Sequence, residues 1–319
     1  MDILTIEALD ADVLGWLGAR HSVQFAPELA QDPQAFRQAL GQVQAAIVPP
    51  SVAIDAGTLK RAPRLRILGR LSVGAENIDL EACARAGVEV VRPASAGAPA
   101  EAEFVIAALL QMLRRVPIIS PEGLLVGREL SGCTVGIVGM TPAVRQLTPL
   151  LAAFGAQVLG HDPGVHPSDA FWSRSNIEPT SLRELMRLSD AVCVLLTAMP
   201  RYVGLFGERV LAECKHDQVL VSLSPSALFN EVALARTLRE GPLAAAWFDN
   251  LDAGALEPGR PLCHIDTLQV TPRVAALTQQ SRKRSAWALA HRIDERLGEA
   301  APASFSPVRT GVTAGLSDG

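Results

Sequence analysis

Cys133-Thr134-Val135-Gly136-Ile137-Val138 reads as a strand and runs straight into Gly139. Roughly 20 positions later, Asp162 closes a second apolar run, Leu159-Gly160-His161-Asp162. This is the spacing of a dinucleotide site. A tight glycine turn sets a pyrophosphate on a helix N-terminus, and an acidic side chain accepts hydrogen bonds from the ribose hydroxyls. A carboxylate there repels a 2′-phosphate, so the spacing predicts NAD rather than NADP. The cradle residues are Gly139, Met140, Thr141, Pro142, Ala143 and Val144, with Asp162. Thr141 and Val144 stand at the second and third glycine positions, where each added Cβ enters space that glycine keeps open. Two lost glycines predict doubtful NAD binding.

Other residues carry chemistry in more than one reading. Glu101 and Glu103 lie at the start of a helical segment, where carboxylates serve acid–base work or offset the macrodipole. Arg92 ends a strand and can anchor an anion or form a structural pair. His161 and His166 bracket Asp162, with Asp169 nearby, but lack a compact ligand pattern, so no metal is predicted. His264 falls in a surface loop. Arg282-Lys283-Arg284 reads as a solvated helix face. The five cysteines, Cys83, Cys133, Cys193, Cys214 and Cys263, form no CxxC pair. Being odd in number, they exclude a complete intrachain disulfide framework and suit a reducing cytoplasm.

The elements that position these residues alternate. Strand-like runs occur at 3–6, 23–25, 46–48, 67–69 and 88–91, with helical patterns at 33–43 and 80–86 between them. A second series has strands at 133–138, 157–160, 191–196, 219–222 and 243–246. Helices at 143–154, 181–187, 208–213, 230–239 and 278–297 accompany it. This alternation predicts an α/β protein with two Rossmann/flavodoxin-like domains, doubly wound parallel sheets with a cleft between them. Residues 1–99 plus about 278–299 form the substrate-type domain, and 100–277 the dinucleotide-binding domain. Residues 300–319, rich in Gly, Ser, Pro and Ala, read as a mobile tail. The helix at 100–116 looks apolar on nearly every side, which predicts burial in a core or in a homodimer contact.

Length and composition bound the rest. The chain has 319 residues, 49% of them hydrophobic, enough for two cores. A net charge of −4 lacks the basic surplus of a nucleic-acid binder. The N-terminus has no basic region ahead of an apolar one, and the longest apolar stretch falls short of a membrane span.

The order of motifs over about residues 45–297 resembles the D-isomer-specific 2-hydroxyacid dehydrogenases. Leu71-Ser72-Val73-Gly74-Ala75-Glu76-Asn77-Ile78-Asp79 is similar to the family loop whose backbone amides receive a substrate carboxylate. Glu101-Ala102-Glu103-Phe104 resembles the V-A-E entry to a long helix, and 128–139 the lead-in to the cofactor turn. The resemblance implies NAD, a homodimer through the helix at about 100–116, and a substrate site at Ser72, Val73 and Gly74. It also implies a relay of arginine, glutamate and histidine. Pro225 occupies the arginine position. Gly254 lies five residues beyond Asp249, the strand-ending aspartate that the resemblance adds to the cofactor-binding residues, where the glutamate belongs. Arg273 follows Thr271-Pro272 where the histidine belongs. Gly97 replaces the family's usual asparagine.

Proline offers neither charge nor donor, and arginine cannot exchange protons near neutral pH. The expectation is therefore a catalytically degenerate relative that binds a small anionic ligand or nucleotide in the cleft. Arg273 and Arg92 would help hold it. Two alternatives stand beside it: a lyase or hydrolase reusing the cleft, and an NAD-dependent oxidoreductase with an unrecognised acid–base group.

Overall fold

Three-residue apolar runs build the first sheet. They are β1 (Ile3–Thr5), β2 (Val23–Phe25), β3 (Ala45–Ile47), β4 (Ile67–Gly69) and β5 (Glu89–Val91), in the order β2-β1-β3-β4-β5 with every pair parallel. That order is flavodoxin-like. β1, β3 and β4 are buried throughout, as strands covered on both faces must be. The helices are α1 (Ala11–Gly18), α2 (Pro33–Leu40), α3 (Ala56–Lys60) and α4 (Leu80–Arg85). Asp32, Asp55 and Asp79 start the last three by accepting backbone N–H bonds that a helix N-terminus leaves unmet.

The second sheet follows a long helix, α5 (Ala98–Arg115), and a small antiparallel hairpin of β6 (Ile118–Ile119) and β7 (Leu125–Val126). Its elements are β8 (Thr134–Val138), α6 (Val144–Ala153), β9 (Gln157–His161), α7 (Ala170–Arg174), β10 (Glu178–Pro179), α8 (Leu182–Leu188), β11 (Ala191–Val194), α9 (Glu208–Leu211), β12 (Gln218–Ser222), α10 (Glu231–Arg239), β13 (Leu243–Phe248) and β14 (Leu268–Val270). The order β10-β9-β8-β11-β12-β13-β14, parallel throughout, is the Rossmann order with one strand added. Period-two alternation divides the core between its faces. Ala191 and Cys193 join Leu109 and Leu147 of α5 and α6, whereas Val192 and Val194 join Leu185 and Leu234 of α8 and α10.

This computed structural model describes residues 1–72, 74–116, 118–197 and 199–298. It contains two compact units, one of 1–69, 75–91 and the chain from Leu289, the other of 70–74 and 92–288. The last helix, α11 (Gln279–Gly298), starts in the second unit and ends in the first. In the first unit its Leu289 lies against Gly69, where an added Cβ would stand 3.0 Å from Cδ2. Arg292 Nε donates to Glu89 Oε1 at 2.7 Å. The tail proposed as mobile, 300–319, lies outside the described residues. Among the described residues no helix is long and apolar enough to cross a membrane.

The expected α/β class and parallel sheets are present. One expectation needs correction. α5 is not apolar all round: Val105, Leu109, Met112 and Leu113 are buried in the core of its own unit, while Glu103, Ala107, Gln111 and Arg114 form an exposed stripe. The exposed large apolar side chains lie beyond it, at Ile119, Leu124 and Leu125.

Phe248, wholly buried, meets Phe229 edge-on, and Phe229 stacks on Phe206. Phe248→Ala should therefore cost about 3–5 kcal/mol in urea unfolding.

Candidate functional site

Chain order in the second sheet reverses between β8 and β11, and the carboxyl ends of these strands form the natural binding edge. Gly139 turns the chain there with φ +97°. A Cβ on it would stand 2.4 Å from the Leu196 backbone and 2.8 Å from the Leu195 carbonyl carbon, so only glycine fits. Asp162 ties the turn down. Its Oδ2 accepts the Met140 N–H at 2.7 Å, and its Oδ1 accepts that of Gly164 at 2.7 Å. A carboxylate has acceptor capacity beyond these two bonds.

The two residues that replaced glycines have definite places. Val144 is wholly buried at the start of α6, in the cluster that holds Ile137 and Leu147. Thr141 Oγ1 is buried with no hydrogen-bond partner. Ser181 and Asn230 cap α8 and α10, whereas α6 begins at Ala143 without a side-chain cap. Uncapped helix amides, a spare hydroxyl and a glycine at closest approach fit a dinucleotide's phosphates.

A second cluster gathers where β12, β13 and β14 end. Asp249, 5% exposed, follows β13. Its Oδ1 accepts the Thr271 hydroxyl at 2.5 Å and the Val274 N–H at 2.9 Å, and its Oδ2 accepts the Ala275 N–H at 2.9 Å. Thr271 also accepts the Trp247 indole N–H at 3.2 Å. This grip holds Arg273 at φ +56°, a conformation few side-chain-bearing residues adopt. Arg273 is exposed, and its Nε donates to Asn250 Oδ1 at 2.7 Å. The Asn250 carbonyl accepts the Ser226 N–H at 3.1 Å, next to Pro225. The Ser226 hydroxyl accepts the Asp252 N–H, and Asp252 Oδ1 accepts the Gly254 N–H. The structure thus brings Pro225, Gly254 and Arg273 together around Asn250 and Asp252.

Glu101, in the first turn of α5, belongs beside this cluster. Three residues on, Phe104 meets Trp247 edge-on, with ring centroids 5.4 Å apart. Burial raises the Glu101 carboxyl above its usual range, and the negative charge of Asp249 adds to the rise. Glu103, two residues later, is exposed.

The proposed substrate loop contains a residue that sequence reasoning passed over. Arg70, only 1% exposed, donates from Nη2 to Ser72 Oγ at 2.6 Å. A fully buried arginine has no sequence signature, because the residue type is ordinarily exposed. Gly74 is half-buried and Arg92 exposed, while Val73 lies outside the described residues. His161 Nδ1 bonds the Thr180 carbonyl and His166 Nδ1 the Ser168 hydroxyl. The five cysteines are free and buried, and burial pushes Cys193 and Cys214 up to about 12.

Residues 108–275 match the family model described as D-isomer specific 2-hydroxyacid dehydrogenase, NAD binding domain. The chain is 30% identical over 306 residues to (S)-sulfolactate dehydrogenase of Chromohalobacter salexigens, covering 93% of this chain and 98% of that protein. It is 32% identical over 257 residues to D-3-phosphoglycerate dehydrogenase of Mycobacterium leprae, covering 77% of this chain but 48% of that one. The chain thus spans about half the length of that relative. The D-mandelate dehydrogenase structure from Rhodotorula graminis superposes with a TM-score of 0.77 at 19% identity, covering 92% of this chain and 93% of that one. At that identity the likeness speaks for the fold.

These likenesses overturn two expectations. The degenerate reading fails because the relatives matched at this level are dehydrogenases. Pro225, Gly254 and Arg273 mark only that the family's arginine, glutamate and histidine are absent from the positions the motifs align. Doubt about NAD also lacks support, because the domain carrying Thr141 and Val144 matches the NAD binding model. The core absorbs Val144, and Thr141 adds a hydroxyl.

Asp249→Ala would leave the buried Ala275 amide and the part-buried Val274 amide without their acceptor, at about 1–3 kcal/mol for the buried one. Denaturant unfolding should show a loss in that range or above. The sequence matches and the parallel-sheet architecture agree: the chain belongs to the D-isomer-specific 2-hydroxyacid dehydrogenase family.

Proposed function

We propose that the protein is an NAD-dependent oxidoreductase of small 2-hydroxy acids whose acid–base group lies outside the family's usual positions. The observation that carries this reading is the turn at Gly139, tied by Asp162 and closed to any side chain by Leu195 and Leu196. In this reading Gly139, Met140, Thr141, Pro142, Ala143 and Val144 hold the pyrophosphate, and Asp162 receives the ribose hydroxyls. Bound nicotinamide supplies the hydride exchange. The substrate is a small anion, and the sulfonate and phosphate in the relatives' names favour a second acidic group on it. Arg70, Ser72, Gly74 and Arg92 are the groups offered to its charged ends, with Arg273 as a further anchor.

A lyase or hydrolase has less behind it. Thiols held protonated by burial, such as Cys193 and Cys214, are poor nucleophiles. The same reading has the protein in the cytoplasm as a homodimer. The exposed apolar hairpin residues Ile119, Leu124 and Leu125 favour a contact beyond the end of α5 rather than on its polar stripe. Light scattering at micromolar concentration should give twice the chain mass, and a monomer mass would remove the dimer.

Thermal unfolding with NADH tests the cofactor. At about 100 times its dissociation constant NADH should stabilise the fold by roughly 2.7 kcal/mol, with NADPH giving less. Asp162→Ala should narrow the gap between the two. Loss of NADH absorbance with a panel of 2-oxo acids, sulfopyruvate and hydroxypyruvate among them, tests the reaction. No stabilisation and no turnover with any of them would overturn the proposal.

A further inference from the structure

We infer that Glu101 is the acid–base group of the reaction, standing in for the histidine that Arg273 has replaced; the inference rests on the oxidoreductase reading above. Three observations place it. α5 delivers Glu101 to the end of β13, because Phe104, one turn on, packs on Trp247, and Trp247 is joined through Thr271 to Asp249. Asp249 in turn fixes 271–275, the segment in which the family's proton-exchanging residue sits. Space has been made as well. Gly97 stands where the family has an asparagine, and a Cβ there would lie 3.4 Å from Glu101 Oε1 and 3.0 Å from the Ala276 Cβ. Any longer side chain at 97 would compete with Glu101 for this volume.

The proton inventory suits the role. A carboxyl in the first turn of a helix is ordinarily stabilised as the anion. Here burial and the negative charge of Asp249 outweigh that and favour the acid. The cation that α11 brings to this end of α5 is Arg284, whose Nε is bound to the Ala96 carbonyl and whose Nη2 is bound to Ser281 Oγ. Arg273, on the 271–275 segment, is bound to Asn250. Glu103 points to solvent from the same turn.

In the reducing direction bound nicotinamide would supply hydride to the carbonyl carbon of a 2-oxo acid, and Glu101 Oε would give the carbonyl oxygen its proton as the π bond opens, so that a 2-hydroxy acid, oxidised nicotinamide and the Glu101 carboxylate would result. Solvent then reprotonates the carboxylate, and the reverse direction uses it as base. Asp249 acts through Glu101 and is a positioning residue.

The test uses the full chain and Glu101→Gln, with Glu103→Gln as the control. With a 2-oxo acid that the parent protein reduces, Glu101→Gln should lower kcat by about 10²–10⁴-fold. NADH should still stabilise the variant as it does the parent. The parent's kcat for reduction should fall as pH rises and Glu101 ionises, and this limb should be missing from the residual activity of the variant. Glu103→Gln should leave turnover unchanged. A readout without substrate accompanies these. A raised carboxyl pKa costs folding stability only once pH exceeds the unfolded value, about 4.3 for glutamate. Glu101→Gln should therefore melt level with the parent below that pH and progressively above it as pH rises toward neutrality, ahead of any effect on chemistry. Undiminished kcat in Glu101→Gln, or a melting difference that does not change with pH, would overturn the assignment while leaving the oxidoreductase reading standing. A parent protein that binds NADH but reduces no 2-oxo acid would take both down.

Discussion

Much of the second unit's binding edge depends on one buried carboxylate. Asp249 closes β13 and receives a hydroxyl and two backbone amides from the chain that leaves β14. A charge so deeply placed is tolerable only because those donors meet it. Having met it, they can no longer be arranged otherwise. The bonds set the path of 271–275, impose the left-handed conformation on Arg273 and draw the Trp247 indole into the same network. Asp249 also acts at a distance, since its charge adds to the burial that raises the Glu101 carboxyl above its usual range. One residue therefore shapes a loop and biases a proton.

The cofactor edge obeys a different constraint, one of space. Backbone meets backbone at Gly139, and no side chain can be inserted there. The other two fingerprint positions are constrained less severely. A glycine needed for helix–strand packing can give way to valine if the neighbours make room, and Val144 is wholly buried without a cavity being needed to explain it. A glycine beside the phosphates can give way to threonine if the added hydroxyl is useful there, and Thr141 Oγ1 lacks any partner of its own. The three glycines of the motif differ in how much their loss costs, and the one retained is the one that cannot be replaced.

Much of this was legible in the residues. Apolar runs bounded by helical spacing located the strands of both sheets, and the interval from Gly139 to Asp162 located the cofactor turn. What escaped has physical causes. α1 carries Gly15 and Gly18, which weaken a helical signal, and β10 and the β6–β7 hairpin use strands of two residues. β14 is only partly buried and too short to show a period. α5 looked apolar on every side because alanines fill the gaps in its pattern; the exposed stripe of Glu103, Ala107, Gln111 and Arg114 appears only once the buried face is known. Arg70 was passed over because burial of a guanidinium depends on tertiary surroundings. Glu101 was visible, but a first-turn carboxylate has an ordinary reason to be there, and its burial and the nearness of Asp249 show only in the fold.

The three vacated family positions are better understood together than singly. Pro225, Gly254 and Arg273 converge on Asn250 and Asp252: Ser226, next to Pro225, donates its N–H to the Asn250 carbonyl, Gly254 donates its N–H to Asp252 Oδ1, and Arg273 Nε donates to Asn250 Oδ1. Losing an arginine at 225 removes a cation from this corner, and losing a glutamate at 254 removes an anion. Gaining an arginine at 273 returns a cation, exposed and bound to Asn250. Two charges of opposite sign leave this corner and one cation returns, so the anion is not replaced. Neither an anion nor a proton donor is returned, since proline, glycine and arginine supply neither near neutral pH. In the oxidoreductase proposed above, the proton on oxygen would therefore come from an acid outside the exchanged set. A carboxyl that burial and a neighbouring charge raise above its usual range, in the first turn of the helix packed on this same corner, would answer that demand without rebuilding the loop that Asp249 holds.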